Sequence, residues 1–335
     1  MTSSLIVVLN WNGTDDTIEC VSSLRAMHAE NTSIAIVDNG SSKKQLSQLK
    51  AFLKNQPEII LLENPTNKGF AGGVNTGITY AIENDFSHVA LFNNDATADK
   101  NWLKELLATM QSSKAMAVTG LLRHAGKNSI DSTGDFYTTW ALPFPRSRGL
   151  KPTQTPKSGF VFGATGGATL YKTELFKEIG FFDESFFAYY EDVDISFRAQ
   201  LAGHKVYYTN TAVAYHKQGA TSKKIPGFTV YQTFKNLPLL YTKNVPAGLL
   251  IPIGLKFFVA YWLMFGNAIK NGTGWYALKG WLASVWYFFT SAIWKRFTIQ
   301  ANKKVSTSYI KSILHADLPP DQTGLRALRK RLTGK

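Results

Sequence analysis

Three carboxylates in four positions, Glu191, Asp192 and Asp194, follow a row of aromatic residues in "FFDESFFAYYEDVDISFRAQLAG" (181–203), and no basic residue comes before Arg198. Like charges this close repel one another, so the cluster needs a reason. Val193, Phe197 and Leu201 recur at i, i+4 and i+8 ahead of Gly203, which predicts an amphipathic helix with Glu191 and Asp192 in its first turn. Carboxylates there are stabilised by the helix dipole, so capping is one explanation. The other is chemistry: Phe186, Phe187, Tyr189 and Tyr190 would exclude water and raise a carboxylate toward the pKa of a working base.

Four more groups could act with it. "HVALFNNDATAD" (88–99) reads as a buried strand that ends by presenting Asn93, Asn94 and Asp95. Such an end holds a divalent cation that neutralises a diphosphate, or forms an Asx turn capping the next helix. "NPTNKGFAGGVNTGI" (64–78) sets Gly69, Gly72, Gly73 and Gly77 around a turn into a helix, with Asn75 in reach of a ribose or phosphate. Glycines there let backbone N–H groups approach a phosphate, or simply let the helix pack closely; the pattern is neither a Walker A loop nor a dinucleotide fingerprint. Gly163, Gly166 and Gly167 in "FGATGGATLYK" (162–172) suit a backbone brought close to a ligand, or a tight hairpin. His216 is a metal ligand, a phosphate contact or a polar strand end.

The elements that must position these groups are legible in the front 120 residues. "SLIVVLN", "SIAIVDNGS", "EIILLEN" and "HVALFNND" read as strands separated by helices, and this alternation predicts an α/β fold with a mostly parallel, doubly wound sheet. Ligands of such sheets bind beyond the carboxyl ends of the strands. Polar residues collect at those ends: Asn10 and Asn12, Asp38 and Asn39, Asn64 and Asn67, Asn93 to Asp95. Residues 123–160, rich in Gly, Pro, Ser and Thr, read as a long loop or β-excursion, and "KVYYTNTAVAYHK" as a late strand pair.

Past residue 240 the character changes to apolar and amphipathic helices, giving an expected division into a catalytic domain, 1–240, and a basic, Trp-rich region, 241–335. The chain carries +14 overall, and 241–335 holds 14 Lys and Arg against 2 acids, a surplus of 12. Five of the 8 tryptophans lie there, interleaved with lysine. Basic, aromatic and aliphatic together fit a membrane interface and not nucleic acid. The apolar runs 246–265 and 275–294 approach a bilayer-spanning length, but Pro252, Lys256 and Lys279 favour helices lying in the interface. The 1 cysteine, Cys20, allows no intrachain disulfide and fits a reducing compartment; the N-terminus reads as a buried first strand and not as a signal peptide.

Taken in order, "VVLNWNG", "IVDNGSS", "NKGFAGGVNTGI", "LFNNDA", "FGATGGATLYK" and the stretch from Gly180 to Lys217 resemble the family 2 glycosyltransferases of GT-A fold, particularly the bacterial rhamnosyltransferase-like members that build O-antigens and other surface polysaccharides. The likeness runs from Leu5 to about Ser222. It implies Asn10 and Asp38 as nucleoside contacts, Gly69 and Asn75 as the loop and helix closing over the nucleotide, and Asn93 and Asp95 as the ends of a D-x-D-like metal motif whose first Asp is Asn here. His216 matches the late His ligand of a divalent cation, Mg²⁺ or Mn²⁺. Gly166 and Gly167 match a loop between donor sugar and acceptor, and Glu191 and Asp192 the acidic pair whose Asp is the base. The implied reaction is inverting transfer from a dTDP or UDP sugar to a polyprenyl-diphosphate-linked saccharide, at the cytoplasmic face of the inner membrane with the tail held on anionic lipid. Two other classes stay open on the sequence: a nucleotide-sugar pyrophosphorylase, against which "NWNGTDD" lacks a base after the first strand, and a non-catalytic carbohydrate-binding protein.

Overall fold

The computed structural model describes residues 3–217 and 225–319. Residues 320–335, with Asp321 and the tail's basic residues from Arg326 onward, lie outside the described part, as do 218–224, where the family likeness ends.

Strands β1 (Ser4–Asn10), β2 (Thr32–Asn39), β3 (Ile59–Asn64) and β4 (His88–Asn93) alternate with helices α1 (Thr14–Arg25), α2 (Lys43–Leu53) and α3 (Gly69–Glu83). After a short β5 (Ala96–Ala98) come α4 (Trp102–Ser113) and β6 (Ala117–His124). Residues 123–160 form the expected excursion: β7 (Ile130–Ser132) pairs with β6, β8 (Asp135–Tyr137) pairs with β9 (Pro143–Pro145), and β10 (Gly159–Val161) leads out. Then come β11 (Ala168–Lys172), α5 (Thr173–Ile179), α6 (Glu191–Leu201) and β12 (Val206–His216).

The sheet runs β10-β12-β6-β11-β4-β1-β2-β3, with β5 beside β12. Strands β3, β2, β1 and β4 are mutually parallel; β11 runs against both β4 and β6, and β12 is parallel to β6. Leu5, Ile6, Val7 and Val8 of β1 are all buried, as a central strand covered on both faces must be. Gly73 and Gly77 let α3 lie directly on β1: a Cβ at either would strike Leu9 or Val7. The expected late strand pair is instead one strand, β12, whose register on β6 shifts between Tyr208 and Val213.

The remainder is helical: α7 (Phe228–Asn244), α8 (Ala247–Lys270), α9 (Gly274–Tyr287), a π-helical turn at Phe288–Ala292, α10 (Ile293–Ala301) and α11 (Thr307–Ile313). Residue 240, where the composition changes, lies inside α7. That helix packs on α6 as well as on α9 and α10, and one apolar cluster joins Phe162, Phe186, Val193 and Phe197 to Phe234, Leu240, Ile253 and Tyr261. The helices therefore share a core with the flank of the sheet domain. Of the two apolar runs, the first is one helix, α8, long and apolar enough to cross a membrane by length and composition; the second is divided between α9, the π turn and α10.

Candidate active site

The carboxyl ends of β1, β2 and β4 share one edge of the sheet, and the topology brings the other groups there. Because β11 is antiparallel, with Ala168 opposite Phe92, the Gly166–Gly167 turn that precedes it lies beside the end of β4. Gly167 accepts a hydrogen bond from Asn93 N through its carbonyl (2.9 Å). Gly166 N donates to Asp192 Oδ2 (2.9 Å), and a Cβ on Gly166 would sit 3.4 Å from that oxygen and 3.3 Å from Phe70. The glycine turn thus links the acidic pair to the strand end, and neither glycine has room for a side chain without displacing a neighbour.

Asp95 meets His216 because Ala96 of β5 pairs with His216 of β12. His216 Nε2 lies 2.9 Å from Asp95 Oδ1 and 3.3 Å from Asn93 Nδ2, while its Nδ1 is 2.7 Å from Asp131 Oδ2. Burial would lower the His216 pKa, but Asp131 and Asp95 outweigh it and raise it to about 9. Asp131, itself buried, is further held by Arg148 at 2.9 Å. A carboxylate on one imidazole nitrogen fixes the tautomer and aims the other nitrogen, the support a metal-binding His has. Among the described residues no group of three or more His, Cys, Asp or Glu is gathered for a metal. Asp95 and His216 therefore offer two donors, side chains only 12% and 11% exposed, and a cation there would complete its shell with oxygens from elsewhere.

Glu191 and Asp192 open α6 as expected, in a strained approach. Phe187, Tyr189 and Tyr190 all have positive φ (62°, 70° and 71°), which costs about 1–2 kcal/mol each for residues with a Cβ. Gly69, at φ +72°, is needed for the same reason of space: a Cβ there would strike the Phe187 carbonyl, which accepts from Ala71 N at 3.2 Å. Burial raises both carboxyls, Glu191 more strongly, and the charge on Asp192 raises Glu191 further. Asp192 accepts from Gly166 N and Val193 N, bonds that favour its charged form. Glu191 Oε2 has no hydrogen-bond partner among the described residues.

Two expected nucleotide contacts are placed differently. Asn10 is fully buried, its amide donating to Asp38 Oδ1 (2.8 Å) and its carbonyl accepting from Thr17 Oγ1 (2.9 Å) and Gly13 N (3.2 Å). It orders Asp38 and does not face the cleft. Asn75 bonds the Phe182 backbone through both ends of its amide, at 2.9 and 3.0 Å, and Glu184 at 3.2 Å. Rather than reaching for a ribose, it ties α3 to the chain leading into α6. Asp38 closes its turn by accepting from Ser41 N (3.1 Å), and Asn39 joins Asn64, Asn67 and Gly69 in an amide network across the ends of β2 and β3.

Asp194, one turn inside α6, is structural. It pairs with Arg198 (2.9 Å), Lys243 (2.7 Å) and Asn244 (2.8 Å), fully buried. Lys243 also binds Asp183, which holds Lys295 at 2.6 Å. Sequence reasoning missed these α7 groups, yet "FKNLPLLYTKN" carries a signal: Lys-Asn pairs at 235–236 and 243–244, eight apart and so on one helix face within an apolar run. It also missed Asp131, which sits 85 residues before His216 in the excursion with no local periodicity to mark it.

The Glycosyl transferase family 2 profile matches residues 5–180. Relatives include the low-salt glycan biosynthesis hexosyltransferase Agl10 of Haloferax volcanii, 25% identical over 69% of this chain and 73% of that protein. Another is the dTDP-rhamnosyl transferase RfbF of Shigella flexneri, 25% identical over 64% and 72%. The chain also matches a poly-beta-1,6-N-acetyl-D-glucosamine synthase of Staphylococcus aureus, 26% identical, but spans only 47% of that protein. Among solved structures, GalNAc-T7 with UDP, GalNAc and Mn²⁺ superposes with a TM-score of 0.60 at 13% identity, over 89% of this chain and 58% of that one. The mannosyltransferase PcManGT of Pyrobaculum calidifontis, with GDP-Man and Mn²⁺, gives 0.54 at 13%, over 99% and 87%. These neighbours share the GT-A architecture of a mixed, mostly parallel sheet, and with the profile spanning half the sequence the chain belongs to glycosyl transferase family 2.

Proposed function

We propose that this family 2 glycosyltransferase performs inverting transfer from a nucleotide-diphosphate sugar, dTDP- or UDP-linked and with rhamnose as the leading candidate, to a hydroxyl of a lipid-linked saccharide. The observation that carries this reading is the Gly166–Gly167 turn, hydrogen-bonded to Asp192 on one side and Asn93 on the other. It joins the Asp192 carboxylate through bare backbone to the end of β4, two residues before Asp95, and a sugar ring would lie against that turn.

In this mechanism Asp192 takes the acceptor's proton as that oxygen attacks the anomeric carbon from the face opposite the diphosphate. The hydrogen bonds on Asp192, which Glu191 Oε2 lacks, make Asp192 the carboxylate whose charge the site supports. Asp95 and His216 would hold a divalent cation, which would supply positive charge against the departing diphosphate. Asp131 keeps the proton on Nδ1 of His216, so that a cation would take the place of the proton at Nε2. Asp38, ordered by Asn10, faces the base side of the nucleotide.

The acceptor's lipid fits the outer surface of the helical region. Ile251, Leu255 and Phe258 of α8, Trp275 and Trp286 of α9, Phe289 of the π turn and Trp294 and Phe297 of α10 are all exposed. So large an apolar face, with the basic surplus of the same region, suits an anionic membrane surface on the cytoplasmic side, the helices lying in the interface. The test is transfer from a panel of radiolabelled nucleotide sugars, with Mn²⁺ or Mg²⁺, to a lipid-linked saccharide on anionic vesicles. Product with inverted anomeric configuration is expected, and retention of configuration or transfer unaffected by EDTA overturns the reading.

A further inference from the structure

Helix α7 reaches from the helical region into the strained stretch that leads to α6. The amide nitrogen of Asn236, a fully buried residue, donates to three carbonyls there: Phe186 O (3.0 Å), Ala188 O (2.9 Å) and Tyr189 O (2.8 Å). Beside it, buried Lys235 donates through Nζ to Ser185 O (2.8 Å) and Phe186 O (3.1 Å). Together they hold the carbonyl row that runs through the positive-φ residues Phe187 and Tyr189 up to the start of α6. Strained backbone persists only where its surroundings over-determine it, and here two adjacent side chains 47 to 50 positions downstream do so. Tyr190 comes directly after that row, then Glu191 and Asp192.

We propose that Lys235 and Asn236 are positioning residues for the transfer reaction. They fix the 185–189 backbone so that α6 begins where Asp192 meets the Gly166 turn, and Lys235 places its positive charge beside Glu191. The proposal rests on the reading of Asp192 as the base.

Charge around Glu191 comes from several elements: Asp192 and Asp194 on its own helix, Lys235 on α7, Asp135 on β8 and the Tyr171 phenol on β11. Lys235 is the cation acting on Glu191 among these groups, while Arg148 acts on Asp192, the other half of the pair. Burial lowers its pKa to about 8 and Glu191 opposes that shift. It is charged through the neutral range, so removing it raises the first ionisation of the acidic pair.

Asn236→Ala, Lys235→Met and Lys235→Arg in the full-length chain test this beside Asp192→Asn. In Asn236→Ala and Lys235→Met, kcat is expected to fall by about 10-fold or more, with the donor KM and the Kd for nucleoside diphosphate within about 2-fold of wild type. The acid limb of kcat moves to higher pH in Lys235→Met and returns in Lys235→Arg, a shift that loss of packing would not cause. Lys235→Met keeps the volume of the stem and stays informative where Asn236→Ala does not fold. A folded Lys235→Met with wild-type kcat and an unmoved limb overturns the proposal. If Asp192→Asn is inactive while that happens, only the positioning role fails; if Asp192→Asn keeps full activity, the base assignment itself fails.

Discussion

The two sides of the cleft are built in opposite ways. On the proposed nucleotide side Asn10, Asp38, Asn39 and Asn64 sit at the ends of adjacent parallel strands and satisfy one another across 25 to 28 residues of sequence. On the acceptor side Asp192 is aimed by a turn 26 residues upstream, and the chain before it is held by a helix nearly 50 residues downstream. Polar residues at neighbouring strand ends need only the sheet to find each other. A base at the head of a strained helix needs a second body to hold it. The contrast implies that donor binding and turnover are separable by mutation.

Asp192→Asn tests that most strongly: kcat should fall by about 10²–10⁴-fold with the Kd for nucleoside diphosphate unchanged, checked by turnover against calorimetry. Loss of both together would erase the contrast. In the wild type the acid limb of kcat should lie above the ordinary Asp range, since burial raises both carboxyls of the pair.

Next in size is Lys243→Met, which takes one of two cations from each of the buried Asp183 and Asp194 and should cost about 3 kcal/mol in urea unfolding. Burial pushes the Asp194 pKa up, but Lys243 and Arg198 outweigh it and hold it below its ordinary value; Asp183 is held down likewise by Lys243 and Lys295. A depressed folded pKa contributes stability above the unfolded value, about 3.9, that is lost as pH falls below it. Lys243→Met should flatten this acid-side loss.

Asp131→Asn should raise the Mn²⁺ concentration for half-maximal activity by about 10–100-fold, read by metal titration, with nucleotide affinity in EDTA unaltered. Gly73→Ala drives a methyl into Leu9 and should cost about 1–3 kcal/mol by thermal unfolding while leaving kcat at permissive temperature intact. Smallest is the pair Trp286→Ser and Trp294→Ser, which should weaken binding to anionic vesicles in a sedimentation assay without changing nucleotide affinity.

Legibility in the sequence divides along the same line. Strand ends, glycine turns and the acidic helix start were readable because each is a local pattern, and their convergence comes from the rule that α/β sheets bind ligands at one edge. The roles of Asn10 and Asn75 were not. An Asn at a strand end or in the first turns of a helix looks the same whether it faces a ligand or the protein's own polar groups, and only Asp38 beside Asn10 and the Phe182 backbone beside Asn75 decide it. Asp131, Lys235 and Asn236 could not be assigned to the site from sequence because their partners lie 47 to 85 positions away, beyond the reach of any local pattern.

The shared core also sets an order of events during synthesis. The sheet and its nucleotide edge are complete once β12 has left the ribosome, at residue 216. The carbonyl row ahead of Asp192 is not held until α7 emerges, and Asp183 gains its second lysine only at Lys295. On the proposed reading, a nascent chain would bind nucleotide before it could turn over, and activity would come only with the helices proposed to carry the protein to the membrane.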